Sequence, residues 1–233
     1  MSVLEKILNG PGYSIEKIQN MDIFENLRKK FIRKMGFEYN KNTVNDLRKK
    51  MAQLSKAEIN KSMINLLSFD DASEYMIKSC SNIVHELSGK EILIQRRAAT
   101  IFNVPGKDER RQWPHYELMS GISPFTFVLW APFHDLNDNG GVYYIKQENS
   151  YSIIQNEEKQ GLVNGPTILN MMSNQEPLKL KYGEVVVFNP FILHGNIEFE
   201  SELARIACSV RFQNKNKPLM QKNSDFFKLY KLN

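Results

Sequence analysis

The sequence predicts an α+β fold in which a block of helices is followed by a block of short strands. In the first third of the chain, apolar residues recur at helical intervals. From Glu91 onward they follow strand spacing, and connectors such as Asn139-Gly140-Gly141 separate the candidate strands. Helices and strands that are segregated in this way are typical of α+β proteins. A double-stranded β-helix (jelly-roll, cupin-like) barrel buttressed by the N-terminal helices is the expected form.

The N-terminal block, residues 1–90, is predicted to be a helical buttress with four helices. Asp22 and Glu25 have the spacing of a capping box at the start of the first helix. Gly89 is placed to end the fourth helix in a left-handed conformation. The apolar stripes that define the four helices are Phe24, Leu27, Phe31 and Met35; Val44, Leu47, Met51 and Leu54; Ile59, Met63 and Leu66; and Met76, Cys80, Ile83 and Leu87.

The predicted jelly-roll core, residues 91–213, contains a series of short candidate strands. They are Glu91 to Arg97, Trp113 to Leu118, Thr126 to Trp130, Val142 to Lys146, Lys179 to Tyr182, Glu184 to Phe188 and Arg205 to Phe212. The polar segment from Asn156 to Pro177 is predicted to be an insertion over the barrel mouth. Residues 214–233 are predicted to form a C-terminal tail. Because no linker separates these parts, we expect one domain spanning residues 1–233.

The composition indicates a soluble globular protein. Hydrophobic residues make up 42% of the sequence and charged residues 24%. No apolar run approaches the roughly 20 residues of a membrane span, and the first residues do not resemble a signal peptide. The two cysteines, Cys80 and Cys208, are far apart in sequence and do not suggest a disulfide scaffold. We therefore expect a cytoplasmic protein with no membrane partner.

The net charge of +5 could suit either nucleic acid or a small anionic ligand. The lysines are spread over predicted helix faces and the C-terminal tail, and no nucleic-acid-binding motif is present. We therefore predict no nucleic-acid partner. A mildly positive field suits an anionic small-molecule substrate such as a nucleotide sugar.

Three residues have the chemistry of a metal site: His115, Glu117 and His194. In a strand, residues two apart point to the same side, so His115 and Glu117 are expected to project together. Two imidazoles and one carboxylate can hold Fe(II) on one face of an octahedron and leave positions open for a co-substrate and O₂. A lone histidine near an apolar strand is more often a packing residue, but the ordered combination favours a metal site.

Two arginines follow the second histidine on one predicted strand, Arg205 and Arg211. The planar guanidinium binds carboxylates through two parallel hydrogen bonds and therefore suits the distal carboxylate of 2-oxoglutarate. Both arginines lie on the same strand face, so either could take this role, and Arg205 is preferred. His85 and His134 are interpreted instead as solvated or locally hydrogen-bonded residues.

The run His115-Tyr-Glu-Leu-Met-Ser-Gly-Ile-Ser-Pro-Phe125 resembles the first ligand strand of the phytanoyl-CoA dioxygenase superfamily. It is most similar to the 2-oxoglutarate/Fe(II) oxygenases found sporadically in carbohydrate biosynthesis clusters. Tyr182-Gly-Glu-Val-Val-Val-Phe188 and Leu193-His-Gly-Asn196 also fit that pattern, and the resemblance covers about residues 88 to 213. It implies a dioxygenase that hydroxylates or oxidises a sugar-containing metabolite.

This family implies that iron is bound by His115, Glu117 and His194 and that 2-oxoglutarate is held by Arg205. Glu117 departs from the family, which has aspartate at this position, so its extra methylene must be absorbed by backbone position or carboxylate rotation. A rival register places Arg110-Arg-Gln112-Trp-Pro on the ligand run and implies a metal-free relative.

Two other functions remain open at the level of sequence. One is a non-catalytic, carbohydrate-binding jelly-roll protein, against which the presence of His115 and His194 argues. The other is a cupin-type metalloenzyme that does not use 2-oxoglutarate, against which Arg205 argues. The sequence does not predict an oligomeric state.

Overall fold

An antiparallel sheet forms the centre of the computed structural model of this chain. The structure describes residues 1–40, 43–55, 57–58, 61, 71–104, 115–136, 142–160, 177–196, 201–221 and 225–232. Its strands are β1 (Tyr13–Lys17), β2 (Glu91–Gln95), β3 (Ala99–Asn103), β4 (Phe127–Pro132), β5 (Val142–Tyr144), β6 (Glu184–Phe188), β7 (His194–Asn196), β8 (Arg205–Asn214) and β9 (Phe227–Lys231). The seven-stranded sheet has the order β1-β6-β4-β8-β2-β9, and β3 also pairs with β8. Strands β5 and β7 form a second, two-stranded sheet.

Most of the helices precede β2 in the chain and pack on one face of the large sheet. They are α1 (Val3–Leu8), α2 (Met21–Lys34), α3 (Thr43–Gln53), α4 (Ala72–Ser79) and α5 (Ser81–Ser88), and α6 (Gln147–Gln160) follows β5. A short 3-10 helix, Glu117–Ser120, lies between β3 and β4. The buried side chains of α1 to α5 form one core with the helix-facing side chains of the sheet. The N-terminal helices therefore support the sheet, as predicted.

Strand β8 is buried on both faces, although polar residues such as Arg205, Ser209 and Arg211 alternate with apolar ones along it. One face packs against the helices through Ile206, Cys208, Val210 and Phe212. The other face presents Arg205, Ser209 and Arg211 to a recess between the two sheets. The strand-face assignment predicted from alternation is confirmed, and it places both arginines on the inner side.

The helical predictions were correct in outline but wrong in two details. Helix α2 begins at Met21 after Asn20, so Asp22 and Glu25 do not form a capping box. The Glu25 carboxylate instead accepts hydrogen bonds from the hydroxyls of Tyr39 and Tyr182. The fourth predicted helix is divided at Cys80 into α4 and α5. The predicted third stripe, Ile59, Met63 and Leu66, lies outside the described residues.

Gly89 ends α5 with φ 75° and ψ −166°. Its φ is positive, as predicted, but its ψ lies outside the left-handed helical region. Gly89 N–H donates to the carbonyl of His85, which satisfies one of the last carbonyls of the helix. Glycine is favoured here because it has no Cβ to oppose a positive φ.

The sheet contains strands that local patterns did not predict. Strand β1 lies within the predicted helical buttress and pairs with β6, and β9 lies within the predicted C-terminal tail and pairs with β2. Both are edge strands, and each is half exposed, so their apolar alternation is weak. The predicted strand at Lys179 to Tyr182 is not formed, and only Leu180 makes an isolated bridge, to Leu136. Among the described residues, no helix is long and apolar enough to cross a membrane.

The predicted insertion from Asn156 to Pro177 is partly helical. Its first residues belong to α6, which ends at Gln160, and residues 161–176 lie outside the described residues. The polar composition of α6 explains why the helix was missed, since it has no continuous apolar stripe.

Candidate metal centre

Two backbone segments, 115–117 and 190–194, hold the candidate metal ligands side by side. The amide of His115 donates to the carbonyl of His194 at 2.9 Å, and the reverse bond measures 3.0 Å. The amide of Glu117 donates to the carbonyl of Pro190 at 3.0 Å. His194 begins β7 and lies opposite Tyr144 of β5. Residues that are far apart in sequence are therefore brought together by direct backbone pairing.

The predicted strand from Trp113 to Leu118 was wrong for its described residues. His115 makes only an isolated bridge, and Glu117 is the first residue of the 3-10 helix. Gly121 ends that helix with φ 73° and ψ 34°, in the left-handed region that glycine adopts most readily. His115 and Glu117 still reach one site, but through a bridge and a turn and not through strand alternation.

The Ser-Gly-x-Ser-Pro-Phe motif stabilises this turn. The Ser123 hydroxyl donates to the carbonyl of Pro218 at 2.9 Å and accepts from the amide of Phe125 at 3.3 Å. The amide of Ser123 donates to the carbonyl of Met220 at 3.1 Å. The motif that carries the family resemblance is thus structural, since it anchors the turn after Glu117 to the segment after β8. The rival register, Arg110 to Pro114, lies outside the described residues.

The side chains of His115, Glu117 and His194 converge. One possible ligand atom from each residue lies within 4.8 Å of the others. Nε2 of His194 is 3.7 Å from Oε1 of Glu117, and the two imidazole centroids are 4.3 Å apart. Glu117 and His194 are buried, and His115 is half-buried. The structure therefore brings together the three residues that the sequence predicted as ligands.

His194 is arranged to offer Nε2 to the site. Its Nδ1 lies 2.9 Å from the carbonyl of Ile192, which favours the tautomer in which Nδ1–H donates and Nε2 carries the lone pair. Burial lowers the pKa of His194 to about 3, and the charge of His115 adds to this effect. The neutral imidazole is the form that binds metal ions.

Glu117 is held in its ionised form. Burial alone would raise the pKa of this carboxyl, but Arg211 and the two imidazoles outweigh burial and hold the pKa below its usual value. Nε and Nη2 of Arg211 lie 2.7 and 2.6 Å from the same oxygen, Oε2. An anionic carboxylate between two imidazoles has the donor set expected for a divalent transition metal.

Arg205 lies deeper in the recess than Arg211. It is 2% exposed, its Nη2 donates to Oδ1 of Asn196 at 2.7 Å, and its guanidinium carbon is 5.5 Å from the ring centroid of Trp130. Burial lowers the pKa of Arg205 to about 9. A guanidinium that has lost its hydration gains strongly from a nearby anion.

The recess between the sheets encloses a small cavity of about 40 Å³. Its lining combines Glu117, His194 and both arginines with the aromatic side chains of Tyr144 and Phe188. The ring of Tyr144 stacks on that of His194, with a centroid distance of 5.4 Å and an interplanar angle of 13°. The ring of Phe188 contacts the His194 ring edge-on, with a centroid distance of 4.9 Å.

Several residues of this site were missed by sequence analysis. Asn196 lies two residues after His194 in β7, so strand alternation could have placed it on the same face. Gln95 contacts Arg211 from the end of β2, and no local signal connects these two positions. Tyr144 was assigned to a strand, but its stacking on His194 depends on the pairing of β5 with β7.

The other two histidines lie outside the site, as predicted. His85 is exposed on α5. His134 is buried after β4, with Nδ1 2.8 Å from the carbonyl of Asp135 and Nε2 accepting from the amide of Ile206 at 3.1 Å. Burial lowers the pKa of His134 to about 3, so the neutral ring can serve as a buried hydrogen-bond acceptor.

No protein-family model matches the sequence, and no curated protein matches it by sequence. Solved structures of non-heme enzymes are nevertheless similar to the whole chain. ThoJ, a non-heme monooxygenase solved as a nickel complex, is 11% identical, with a TM-score of 0.59 over 99% of this chain and 84% of ThoJ.

Two further structures extend this similarity. SnoN, a non-heme α-ketoglutarate-dependent epimerase from nogalamycin biosynthesis, is 11% identical, with a TM-score of 0.54 over 92% of this chain and 82% of SnoN. HygX from Streptomyces hygroscopicus, solved with nickel and 2-oxoglutarate bound, is 10% identical, with a TM-score of 0.53 over 90% of this chain and 85% of HygX. At such low identity the similarity establishes the fold, and the predicted jelly-roll architecture is confirmed.

Proposed function

We propose that this protein is a non-heme Fe(II)/2-oxoglutarate-dependent oxygenase that acts on a small molecule. The observation that carries this proposal is the convergence of His115, Glu117 and His194 beside a buried arginine. Fold similarity alone does not assign a function, because one fold can carry many chemistries. Here the fold and the donor set support the same assignment.

The three residues fit an Fe(II) ion. His194 offers a neutral nitrogen, and Glu117 offers Oε1 while its Oε2 is engaged by Arg211. Two nitrogens and one carboxylate oxygen are the ligands of the facial triad, which leaves coordination positions open. Fe(II) bound at this site would supply the activation of O₂, whose four electrons would come from the oxidation of 2-oxoglutarate to succinate and CO₂ and from the substrate. The aromatic rings of Tyr144 and Phe188 restrict access of water to His194.

Arg205 is proposed to bind the distal carboxylate of 2-oxoglutarate. Three nitrogens of Arg211 are already engaged, two by Glu117 and one by Gln95. Arg205 lies deeper in the same recess and stacks near Trp130, where an anionic ligand would offset the loss of hydration. This arrangement favours Arg205 over Arg211 for the co-substrate.

We further propose that the substrate is a sugar-containing metabolite. This proposal is supported by the family resemblance and by the net charge of +5, which suits an anionic sugar derivative. Release of succinate should be screened against nucleotide sugars, sugar phosphates, amino acids and acyl-CoAs. Stimulation by an amino acid or an acyl-CoA, with none by any sugar derivative, would refute this part of the proposal.

The assignment of the cofactors can be tested without knowing the substrate. Anaerobic addition of Fe(II) and 2-oxoglutarate to the apoprotein should produce the visible charge-transfer band of the 2-oxoglutarate chelate. The same addition to the His194→Ala variant should not produce the band. A wild-type protein that binds Fe(II) without the band would favour a metalloenzyme that does not use 2-oxoglutarate. Failure to bind any divalent metal would favour a non-catalytic binding protein.

Epimerisation is a second candidate reaction. It is supported by the similarity to SnoN, which is described as an epimerase and has the same fold. The two reactions differ in their products, because hydroxylation adds one oxygen atom to the substrate and epimerisation leaves its mass unchanged. Mass spectrometry of the product therefore separates them.

A further inference from the structure

We propose that Gln95 and Arg211 restrict Glu117 to offering one carboxylate oxygen to a metal ion. We call these two residues the Gln95–Arg211 pair. This inference rests on the proposed function, since it assumes that the three converging residues bind a metal. It explains how the site can use glutamate where the family that it resembles has aspartate.

Arg211 contacts Glu117 through one of the two carboxylate oxygens. Nε and Nη2 of Arg211 both approach Oε2, at 2.7 and 2.6 Å. Oε1 instead lies 3.7 Å from Nε2 of His194, on the side of the candidate metal position. The side chain of Glu117 is 4% exposed, so water does not compete effectively for Oε2. One oxygen is therefore occupied by the guanidinium and the other faces the imidazole.

Gln95 fixes the guanidinium of Arg211. Its Oε1 accepts from Nη1 of Arg211 at 3.0 Å and from the backbone amide of Arg211 at 3.2 Å. Its Nε2 donates to the carbonyl of Arg97 at 2.6 Å, which determines the orientation of the amide. Gln95 is buried at the end of β2, which is paired with β8. The Gln95–Arg211 pair is thus anchored to the central sheet at both residues.

This restraint matters because glutamate has one more rotatable bond than aspartate. Without Arg211, the Glu117 carboxylate could turn both oxygens toward a metal and occupy a coordination position that a co-substrate needs. The positive charge of Arg211 also repels a metal cation. Removing Arg211 should therefore affect two ligands differently: metal binding should be retained or strengthened, whereas 2-oxoglutarate binding should weaken.

The test uses Co(II) as a spectroscopic probe of the metal site. Co(II) is titrated into the apo forms of the wild type and Arg211→Met, and 2-oxoglutarate is then titrated into the loaded proteins. We expect Arg211→Met to bind Co(II) at least as tightly as the wild type, with an altered visible spectrum. Its affinity for 2-oxoglutarate should fall by about tenfold or more, which corresponds to about 1.4 kcal/mol or more of binding free energy. Gln95→Leu should alter the Co(II) spectrum and lower the affinity for 2-oxoglutarate as Arg211→Met does, but by a smaller factor.

Two control variants make the result specific. Arg96→Met removes an exposed ion pair, with Asp225 at 2.7 Å, outside the recess and should behave as the wild type. Arg211→Lys keeps a cation that can donate to Oε2 and should partly restore the wild-type spectrum and 2-oxoglutarate affinity. Circular dichroism establishes that each variant is folded before it is titrated.

The outcomes separate this inference from the proposed function. If the wild type does not bind Co(II), the proposed metal site is wrong and the inference is wrong with it. If the wild type binds Co(II) but Arg211→Met loses Co(II) affinity, or keeps its affinity for 2-oxoglutarate, only the inference is overturned. Loss of 2-oxoglutarate affinity with an unchanged Co(II) spectrum also overturns it, because Arg211 would then contact the co-substrate directly.

Discussion

The substitution Arg205→Met should separate ligand binding from folding stability. Methionine keeps an unbranched apolar side chain against Trp130 but removes the buried charge. Burial lowers the pKa of Arg205 to about 9, which corresponds to a cost on the order of 5 kcal/mol for keeping the charge in this environment. The hydrogen bond to Asn196 and the contact with Trp130 return about 1–3 kcal/mol.

We therefore expect Arg205→Met apoprotein to be as stable as the wild type or up to about 3 kcal/mol more stable, as when other buried charged groups are replaced by apolar residues. Its affinity for 2-oxoglutarate should fall by roughly 2–5 kcal/mol, the usual effect of truncating a buried charged partner. That range is a factor of about 30 to several thousand in Kd.

Urea unfolding at pH 7 measures the stability, and calorimetric titration of 2-oxoglutarate into the metal-loaded protein measures the affinity. Arg96→Met, which removes an ion pair with Asp225 outside the recess, is the comparison for the second measurement. The reasoning is refuted if Arg205→Met loses more than about 1 kcal/mol of stability, since Arg205 would then be a structural residue. An unchanged affinity for 2-oxoglutarate in Arg205→Met would transfer the binding role away from Arg205.

Three further predictions concern histidines and the carboxylate ligand. His115→Ala and His194→Ala should each abolish stoichiometric Fe(II) binding, because the two remaining ligands hold a labile divalent ion poorly. Full iron occupancy of both variants in metal analysis would exclude this metal site. Glu117→Asp should keep partial succinate release in the presence of substrate, whereas Glu117→Ala should lose most of it. Since the pKa of His134 falls from 6.5 to about 3 on folding, its protonation favours the unfolded state, and stability is lost as the pH falls below 6.5 toward 3. Between pH 7 and pH 5 the wild type should lose about 2 kcal/mol more unfolding free energy than His134→Gln, and equal losses in urea titrations would contradict the buried neutral ring.

Local sequence patterns were sufficient where a segment's own burial determines its structure. The bounds of β6 match the predicted strand, because an apolar run that is buried on both faces needs no partner to be recognised. The alternation of polar and apolar residues along β8 placed Arg205 and Arg211 on one face, because successive side chains of a strand point to opposite faces. The amphipathic stripe of α2 likewise identified a helix that packs on the sheet.

The local geometry around Glu117 could not be predicted in this way. Alternation predicted that Glu117 and His115 share a strand face, but Glu117 begins a 3-10 helix and takes its backbone partner from Pro190. Its side-chain partner, Arg211, belongs to a third segment. These contacts join residues separated by more than 70 positions, and no periodicity within a short window records them.

The sequence therefore predicted which types of side chain form the candidate site. The role of each side chain there depends on the tertiary structure. The two imidazoles, the carboxylate and the two guanidinium groups were all identified from their types and order along the chain. Only the pairing of distant segments allows Arg211 to form an ion pair with Glu117 and Arg205 to donate a hydrogen bond to Asn196. The physical reason is that identical guanidinium groups differ in their binding properties only through burial and neighbouring charge, and both are set by long-range packing.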